Sequence, residues 1–129
     1  MNWIEHHGFE RPPFSKTVAD TDLWLTQTKE QIVREILRAI EERQTGAILV
    51  GDAGLGKSCV LRAVRHELQD TNVRLTYCHN TTLGRRDFYR QICTALGLRP
   101  SATAAGVFNG LSTYVQELAC EQMHPVFLI

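Results

Sequence analysis

Residues 51–58 constrain the fold of this chain more than any other part of its sequence. They read GDAGLGKS and match the pattern G-x-x-x-x-G-K-[ST] at every fixed position. A short apolar run, residues 47–50, precedes the motif, and an amphipathic stretch, residues 58–68, follows it. Because a short apolar run before a glycine-rich turn is typical of a buried parallel strand, the motif predicts a strand that turns directly into a helix.

The residue types of this motif suit an anion. Gly51, Gly54 and Gly56 allow backbone angles that a Cβ disfavours, so the loop can direct several N–H groups towards one phosphate. The helix that starts near Lys57 adds the positive end of its dipole. The predicted nucleotide-binding residues are Gly51, Asp52, Ala53, Gly54, Leu55, Gly56, Lys57 and Ser58.

Two of these residues have predicted chemical roles. We expect Lys57 to reach the β- and γ-phosphates of a nucleoside triphosphate as a mobile point charge, which makes it the candidate catalytic residue. We expect the Ser58 hydroxyl to ligate Mg²⁺. The alternative, a glycine-rich turn without a ligand, would leave Lys57 as an unpaired cation at a positive helix end. A dinucleotide fingerprint fits less well, because its glycine spacing is G-x-G-x-x-G.

Apolar periodicity predicts that helices and strands alternate along the chain. The predicted helices cover residues 28–43, 58–68, 87–96 and 103–122, and the predicted strands cover 47–50, 73–78 and 126–129. Thr28 and Gln31 fit a capping box for the first helix, and Gly46 is its predicted terminator. This order predicts an α/β fold with a mainly parallel sheet.

The first 27 residues are predicted to be irregular, because Pro12 and Pro13 interrupt regular structure. They are nevertheless rich in large apolar side chains, so we expect an ordered N-terminal wrap, residues 1–27, packed on a domain formed by residues 28–129. The apolar side chains of the wrap are Trp3, Phe9, Phe14, Leu23, Trp24 and Leu25.

Composition limits the classes of protein that the chain can represent. Of its 129 residues, 43% are apolar and 22% charged, which favours one globular domain over disorder. The formal net charge is zero, so any contact with nucleic acid needs a local basic patch.

No apolar run is long enough for a membrane span and no secretory signal is present, which predicts a cytoplasmic protein with reduced cysteines. Cys78 and His79 are the one cysteine and histidine that are neighbours in the sequence, and adjacent strand residues point to opposite faces, so no metal site is predicted.

The acidic residue that a hydrolytic site needs does not follow the last predicted strand. Hydrolysis also needs a carboxylate for magnesium and a group that orients the attacking water. Asp52 is interpreted as a turn residue, and Glu117 and Glu121 as solvated helix residues. The sequence is therefore interpreted as the N-terminal part of a longer ATPase domain, deficient in hydrolysis by itself.

The residues around the motif resemble those of a known family, the AAA+ ATPases of the ExeA (general secretion pathway A) and TniB-like group. The resemblance covers essentially the whole chain and rests on the order of a few groups. These are Trp3, Gly8-Phe9, Pro13-Phe14, a helix, GDAGLGKS with Arg62, Tyr77 at a strand end, Asn80-Thr81-Thr82-Leu83, Phe88-Tyr89 and Leu96-Gly97-Leu98.

The resemblance implies a three-layer P-loop NTPase fold, incomplete at the C-terminus, with ATP and Mg²⁺ as cofactors. It also implies a homo-oligomer that works as a helper in DNA transposition, with DNA and a transposase as partners. Members of the group continue into an Asp-Glu-Ala-type Walker B motif, a sensor segment and a helical lid. By the same analogy, Phe9, Pro13 and Phe14 border the adenine, although plain packing explains these residues as well.

Several functions share the motif. A secretion-associated assembly ATPase and a small-molecule kinase are the alternatives to the transposition helper, and a chain that binds nucleotide weakly is another. The guanine-reading motif Asn-Lys-x-Asp is absent from the sequence, and the family that the chain resembles uses ATP.

A cluster of arginines is a candidate DNA contact. It consists of Arg85, Arg86 and Arg90, with Arg62 and Arg65 on the preceding helix. The alternative is a solvated surface in which Arg86 or Arg90 pairs with Asp87.

Overall fold

A computed structural model of the chain describes residues 2–13, 15, 17–78 and 84–129. The helices are α1 (Trp3–His6), a 3-10 turn (Asp20–Asp22), α2 (Gln27–Glu41), α3 (Lys57–Glu67), α4 (Arg85–Ala95) and α5 (Ala104–Cys120), and the strands are β1 (Val73–Tyr77) and β2 (His124–Leu128). Each of the four predicted helices forms, with ends close to those predicted. The Asn80-Thr81-Thr82-Leu83 segment and His79 lie outside the described residues.

The two strands are parallel, as the alternation of helices and strands predicts. Val73 lies opposite His124 and Tyr77 opposite Leu128, and α4 and α5 form the connection between the strands. Pro125 lies inside β2 without breaking the ladder. The His124 N–H donates to the Asn72 carbonyl at 2.8 Å, so the alternation of the strand directs the Pro125 nitrogen away from β1.

The predicted strand over residues 47–50 does not form in the described structure, which corrects the sequence prediction. Leu49 packs against the core, whereas Ile48 is 91% exposed and Val50 84% exposed. The segment therefore has the alternation of a strand but no ladder partner, because the sheet of the described residues has only β1 and β2. A strand needs neighbours for its backbone groups, and the apolar pattern of residues 47–50 does not provide them.

The main core lies between α2, α3 and β1. Val60 and Val64 of α3 pack with Val33 of α2, and Val64 is fully buried. Burying a valine side chain stabilises the fold by about 1.5–3 kcal/mol. Partly buried side chains extend this cluster, namely Leu25, Ile32, Ile36, Leu37, Ile40, Leu49, Val73 and Leu75. The packing of α2 on α3 therefore fixes the position of the helix that follows the glycine-rich motif.

The ends of α2 differ from the sequence prediction at both termini. The Thr26 hydroxyl accepts a hydrogen bond from the Lys29 N–H, so Thr26 caps the helix and the predicted box at Thr28 does not form. At the other end Arg43 adopts a left-handed backbone with φ of 55°. The Gln44 N–H reaches the Ala39 carbonyl at 2.9 Å, which closes the helix before Gly46.

One carboxylate joins the N-terminal segment to α3. Asp20 Oδ1 accepts from Arg62 at 2.6–2.8 Å, and Asp20 Oδ2 accepts from Arg65 at 2.5 Å. Arg62 also donates to the Val18 carbonyl. The predicted apolar anchors of this segment are unevenly buried, and Leu23 and Leu25 are half-buried. Leu25 contacts the core, whereas the rings of Trp3, Phe9 and Trp24 are 52%, 45% and 81% exposed.

The cysteines are free thiols in the described structure. Cys78 and Cys93 are buried, and burial raises the pKa of both thiols. Cys59 is half-buried and Cys120 is exposed. The described residues contain no group of three or more potential metal-ligating side chains, and none of their helices is long and apolar enough to cross a membrane.

The Asp20 contact predicts a pH-dependent stability. The hydrogen bond from Arg65, followed by that from Arg62, holds the pKa of Asp20 below its ordinary value of 3.8, although burial opposes this shift. A depressed folded-state pKa stabilises the fold above the unfolded pKa, and this stabilisation is lost as the pH falls through the folded value. Asp20→Asn should therefore lower the thermal unfolding midpoint at pH 7, and the difference from wild type should vanish in acid.

The matched control is Asp70→Asn, an exposed aspartate without an ion pair among the described residues. It should leave the midpoint unchanged across the same pH range. Equal behaviour of the two variants at pH 7 would contradict the role of Asp20.

Candidate functional site

The motif forms an open loop that leads into α3. Gly54 and Gly56 have φ of 84° and 86°, in the left-handed region that residues with a Cβ rarely adopt. Gly56 is the N-cap of α3 and provides no side-chain cap. The sequence expectation of special backbone angles is thus met at two of the three glycines, while Gly51 lies outside this region.

Gly51 has neither a positive φ nor a steric need for glycine. A Cβ at this residue would lie 3.4 Å from Leu55 Cδ1 and 3.9 Å from Lys57 Cδ, and both are ordinary van der Waals contacts. This corrects the prediction that all three glycines are needed for their φ values.

The loop presents unpaired N–H groups to solvent. Within residues 51–58, the Leu55 N–H reaches the Asp52 carbonyl at 3.4 Å. The N–H groups of Gly54, Gly56, Lys57 and Ser58 donate to no protein acceptor in the described part of the chain. The first N–H groups of any helix lack intrahelical partners, and at this helix no side chain replaces them. This set of donors could hold the oxygens of a phosphate.

Lys57 bends back over the same loop. Its Nζ donates to the Gly51 carbonyl at 2.7 Å and to the Asp52 carbonyl at 2.8 Å. Carbonyl oxygens neutralise an ammonium only in part, so a bound anion would add a favourable partner. The Ser58 side chain is exposed and makes no hydrogen bond among the described residues, which leaves its hydroxyl available to a cation. The donor set therefore fits a phosphate with Mg²⁺.

A second lysine, which was not among the predicted site residues, reaches the loop from α2. Lys29 lies in the first turn of α2, and its side chain is half-buried. A Cβ placed on Gly56 would lie 2.9 Å from Lys29 Nζ and 3.3 Å from Lys29 Cε. The available signal in the sequence was a cation in the first turn of a helix, where the dipole disfavours positive charge.

The arginines of the candidate DNA contact separate into two groups. Arg62 and Arg65 pair with Asp20, so α3 contributes no free arginine to that surface. On α4, the Arg86 guanidinium donates to the Ala102 carbonyl at 2.7 Å. Arg85 and Arg90 form no ion pair within the described ranges.

The alternative pairing of α4 arginines with Asp87 is not found among the described ion pairs. Neighbouring residues on a helix do not face each other, which explains why Arg86 contacts Ala102 and not Asp87. The surface of α4 therefore carries more free positive charge than the solvated-pair interpretation predicts.

The residues expected beside the adenine are only partly described. Phe9 packs against Trp3 and His7, with ring centroids 6.5 and 6.4 Å apart. Pro13 is exposed, and Phe14 lies outside the described residues. Their role in base binding stays a prediction.

The backbone of Gly56 predicts a measurable penalty for a larger residue. Gly56→Ala should destabilise the fold by about 1–3 kcal/mol, because alanine would adopt a left-handed backbone and also displace Lys29. Gly54→Ala has the same backbone problem without a contact within 4 Å, so its loss should be smaller. Urea unfolding measures both, with Gly46→Ala as the control at an open position without positive φ. Equal stability of all three variants would contradict this geometry.

Comparison with known proteins places the chain in a family. A protein-family model described as "AAA domain" matches residues 40–129, which includes the whole loop and more than half of the chain. No curated protein and no solved structure matches the chain significantly. The matched region runs from the end of α2 through β2, so it contains the loop, α3 and both strands. The chain therefore belongs to the AAA domain family of nucleotide-binding P-loop ATPases.

Proposed function

We propose that residues 51–58 bind ATP together with Mg²⁺, and that the protein is a switch ATPase. The observation that carries this proposal is the set of unpaired N–H groups at the start of α3, on the loop over which Lys57 folds. Membership of the AAA domain family supports the same assignment. Bound Mg²⁺ would neutralise phosphate charge and polarise the phosphoryl group.

Each residue of the loop has a proposed role. Gly54 and Gly56 turn the backbone so that N–H groups converge, and the Gly51 carbonyl accepts from Lys57. The Lys57 ammonium would exchange its two carbonyl partners for phosphate oxygens, since charge-assisted hydrogen bonds are stronger than those to neutral carbonyls. Ser58 would ligate the metal. Asp52, Ala53 and Leu55 complete the loop, with the Asp52 carbonyl in contact with Lys57.

The wider role that we propose is that of a helper ATPase in DNA transposition. ATP would order an oligomer that engages DNA and a transposase, and hydrolysis would release it. The resemblance to the ExeA and TniB-like group supports this role, and the free arginines of α4 favour contact with nucleic acid. A secretion-associated assembly ATPase is the second candidate, and it would act without DNA. A small-molecule kinase would transfer phosphate to a nucleoside in the absence of both partners.

Nucleotide binding is tested by titrating a fluorescent ATP analogue into the chain with Mg²⁺. Lys57→Ala should weaken binding at least tenfold, because it removes a charged hydrogen-bond donor to phosphate. The matched control is Arg74→Ala, which removes the same charge from an exposed position on β1. Competition with unlabelled ATP and GTP distinguishes the two nucleotides.

Two outcomes would contradict the proposal. One is the absence of ATP binding by the wild-type chain, and the other is an equal affinity of Lys57→Ala and the wild type. Phosphate release is measured alongside.

The DNA contact is tested with Arg85→Ala combined with Arg90→Ala. Arg86 is left intact because it bonds to the Ala102 carbonyl and its loss would disturb the start of α5. The double variant should weaken DNA binding and lower the slope of log affinity against log salt by up to about 2. The reason is that fewer phosphate contacts form, so that binding releases fewer counterions.

The matched control is Arg34→Ala combined with Arg38→Ala, which removes two positive charges from exposed sites on α2. It should leave the salt slope unchanged. If both double variants weaken binding equally, DNA affinity depends only on net charge, and the proposed contact between the α4 arginines and DNA is wrong. Unchanged binding of the α4 variant across the salt titration would also overturn it.

A further inference from the structure

We propose that Lys29 is a second phosphate-binding cation of the ATPase site and that it positions the nucleotide from α2. This inference rests on the proposed function, because it adds a residue to the same site. It assigns a role in binding to a side chain that lies outside the motif of residues 51–58.

The first support is the position of the side chain. Lys29 is half-buried, and its ammonium lies over Gly56, at 2.9 Å from a Cβ built on that residue. Gly56 is the N-cap of α3, so the Lys29 ammonium is next to the N–H groups that begin this helix. A glycine at this position leaves the space that the Lys29 side chain occupies. Lys29 and the motif thus form one continuous surface.

The second support is electrostatic. Lys29 belongs to the first turn of α2 and reaches the first turn of α3, so it lies near the positive ends of two helix dipoles. Lys57 brings another positive charge to the same loop. In the described part of the chain, Lys29 is absent from every ion pair. This concentration of positive charge is unfavourable by itself and becomes favourable around a polyphosphate, which carries several negative charges.

The third support is the choice of residue. The chain has eleven arginines and three lysines, and both lysines of the described residues, Lys29 and Lys57, lie at this loop. An ammonium is a compact point charge on a flexible stem, whereas a guanidinium prefers fixed planar partners. A lysine can therefore follow phosphate oxygens as they change position. The arginines on α3 instead hold the fixed carboxylate of Asp20.

A purely structural role is the competing explanation, in which Lys29 only covers the start of α3 with its methylene groups. That role predicts a change in stability and no change in phosphate affinity. The experiment therefore measures both quantities on the same variants.

The experiment compares wild type with Lys29→Gln, which keeps the length of the side chain and removes its charge. ATP affinity is measured with the fluorescent analogue, and inorganic tripolyphosphate serves as a competitor without base or sugar. Lys29→Gln should weaken both ligands about tenfold, while Lys29→Arg should restore most of the affinity. The control Arg34→Gln removes a charge one turn further along α2 and should change neither affinity.

The outcomes separate this inference from the proposed function. If wild type binds ATP and Lys57→Ala does not, but Lys29→Gln binds as tightly as wild type, the site stands and the role of Lys29 is wrong. If Lys29→Gln weakens ATP and not tripolyphosphate, Lys29 contacts the base or sugar and the phosphate assignment is overturned. If Lys29→Gln lowers only the urea midpoint, its role is structural and the inference fails.

Discussion

The packing of α3 against α2 is the constraint on which the rest of the structure depends. Val60 and Val64 are buried on the face of α3 that meets Val33 of α2, and Val64 has no exposed surface. Because protein interiors are close-packed, this contact fixes how the two helices lie against each other. The beginnings of both helices are fixed with it. An apolar contact thus places the polar loop and Lys29 side by side.

The charges on α3 are divided between its beginning and its outer face. At the beginning of α3, several N–H groups have no protein acceptor, and Lys57 has only carbonyl oxygens as partners. On the outer face, Asp20 neutralises both Arg62 and Arg65. Two arginines that look available for an anionic ligand are therefore used to hold the N-terminal segment. Within the described residues, the loop and α4 each carry positive charges that form no ion pair.

Positive φ values occur at the beginning of α3 and after several of the helices. Gly56 starts α3 with φ of 86°, where a side chain would meet Lys29. Arg43 and Gln122 follow α2 and α5 with φ of 55° and 59°, at exposed positions where a side chain has room. Glycine avoids that backbone cost at the loop and also after α4, where Gly97 has φ of 76°, whereas Arg43 and Gln122 bear it after α2 and α5. This is why Gly46 was a misleading signal for the end of α2.

The sequence by itself determined the features that depend on neighbouring residues. The four helices, the extended segments β1 and β2 and the fixed positions of the motif follow from apolar periodicity and turn chemistry, both of which act over a few residues. Tertiary structure alone decided the rest. Residues 47–50 have the pattern of a strand, but a ladder needs a partner from elsewhere in the chain. Lys29 meets Gly56 across a long separation because the burial of α2 against α3 brings them together, and Asp20 meets Arg62 because the N-terminal segment folds back onto α3.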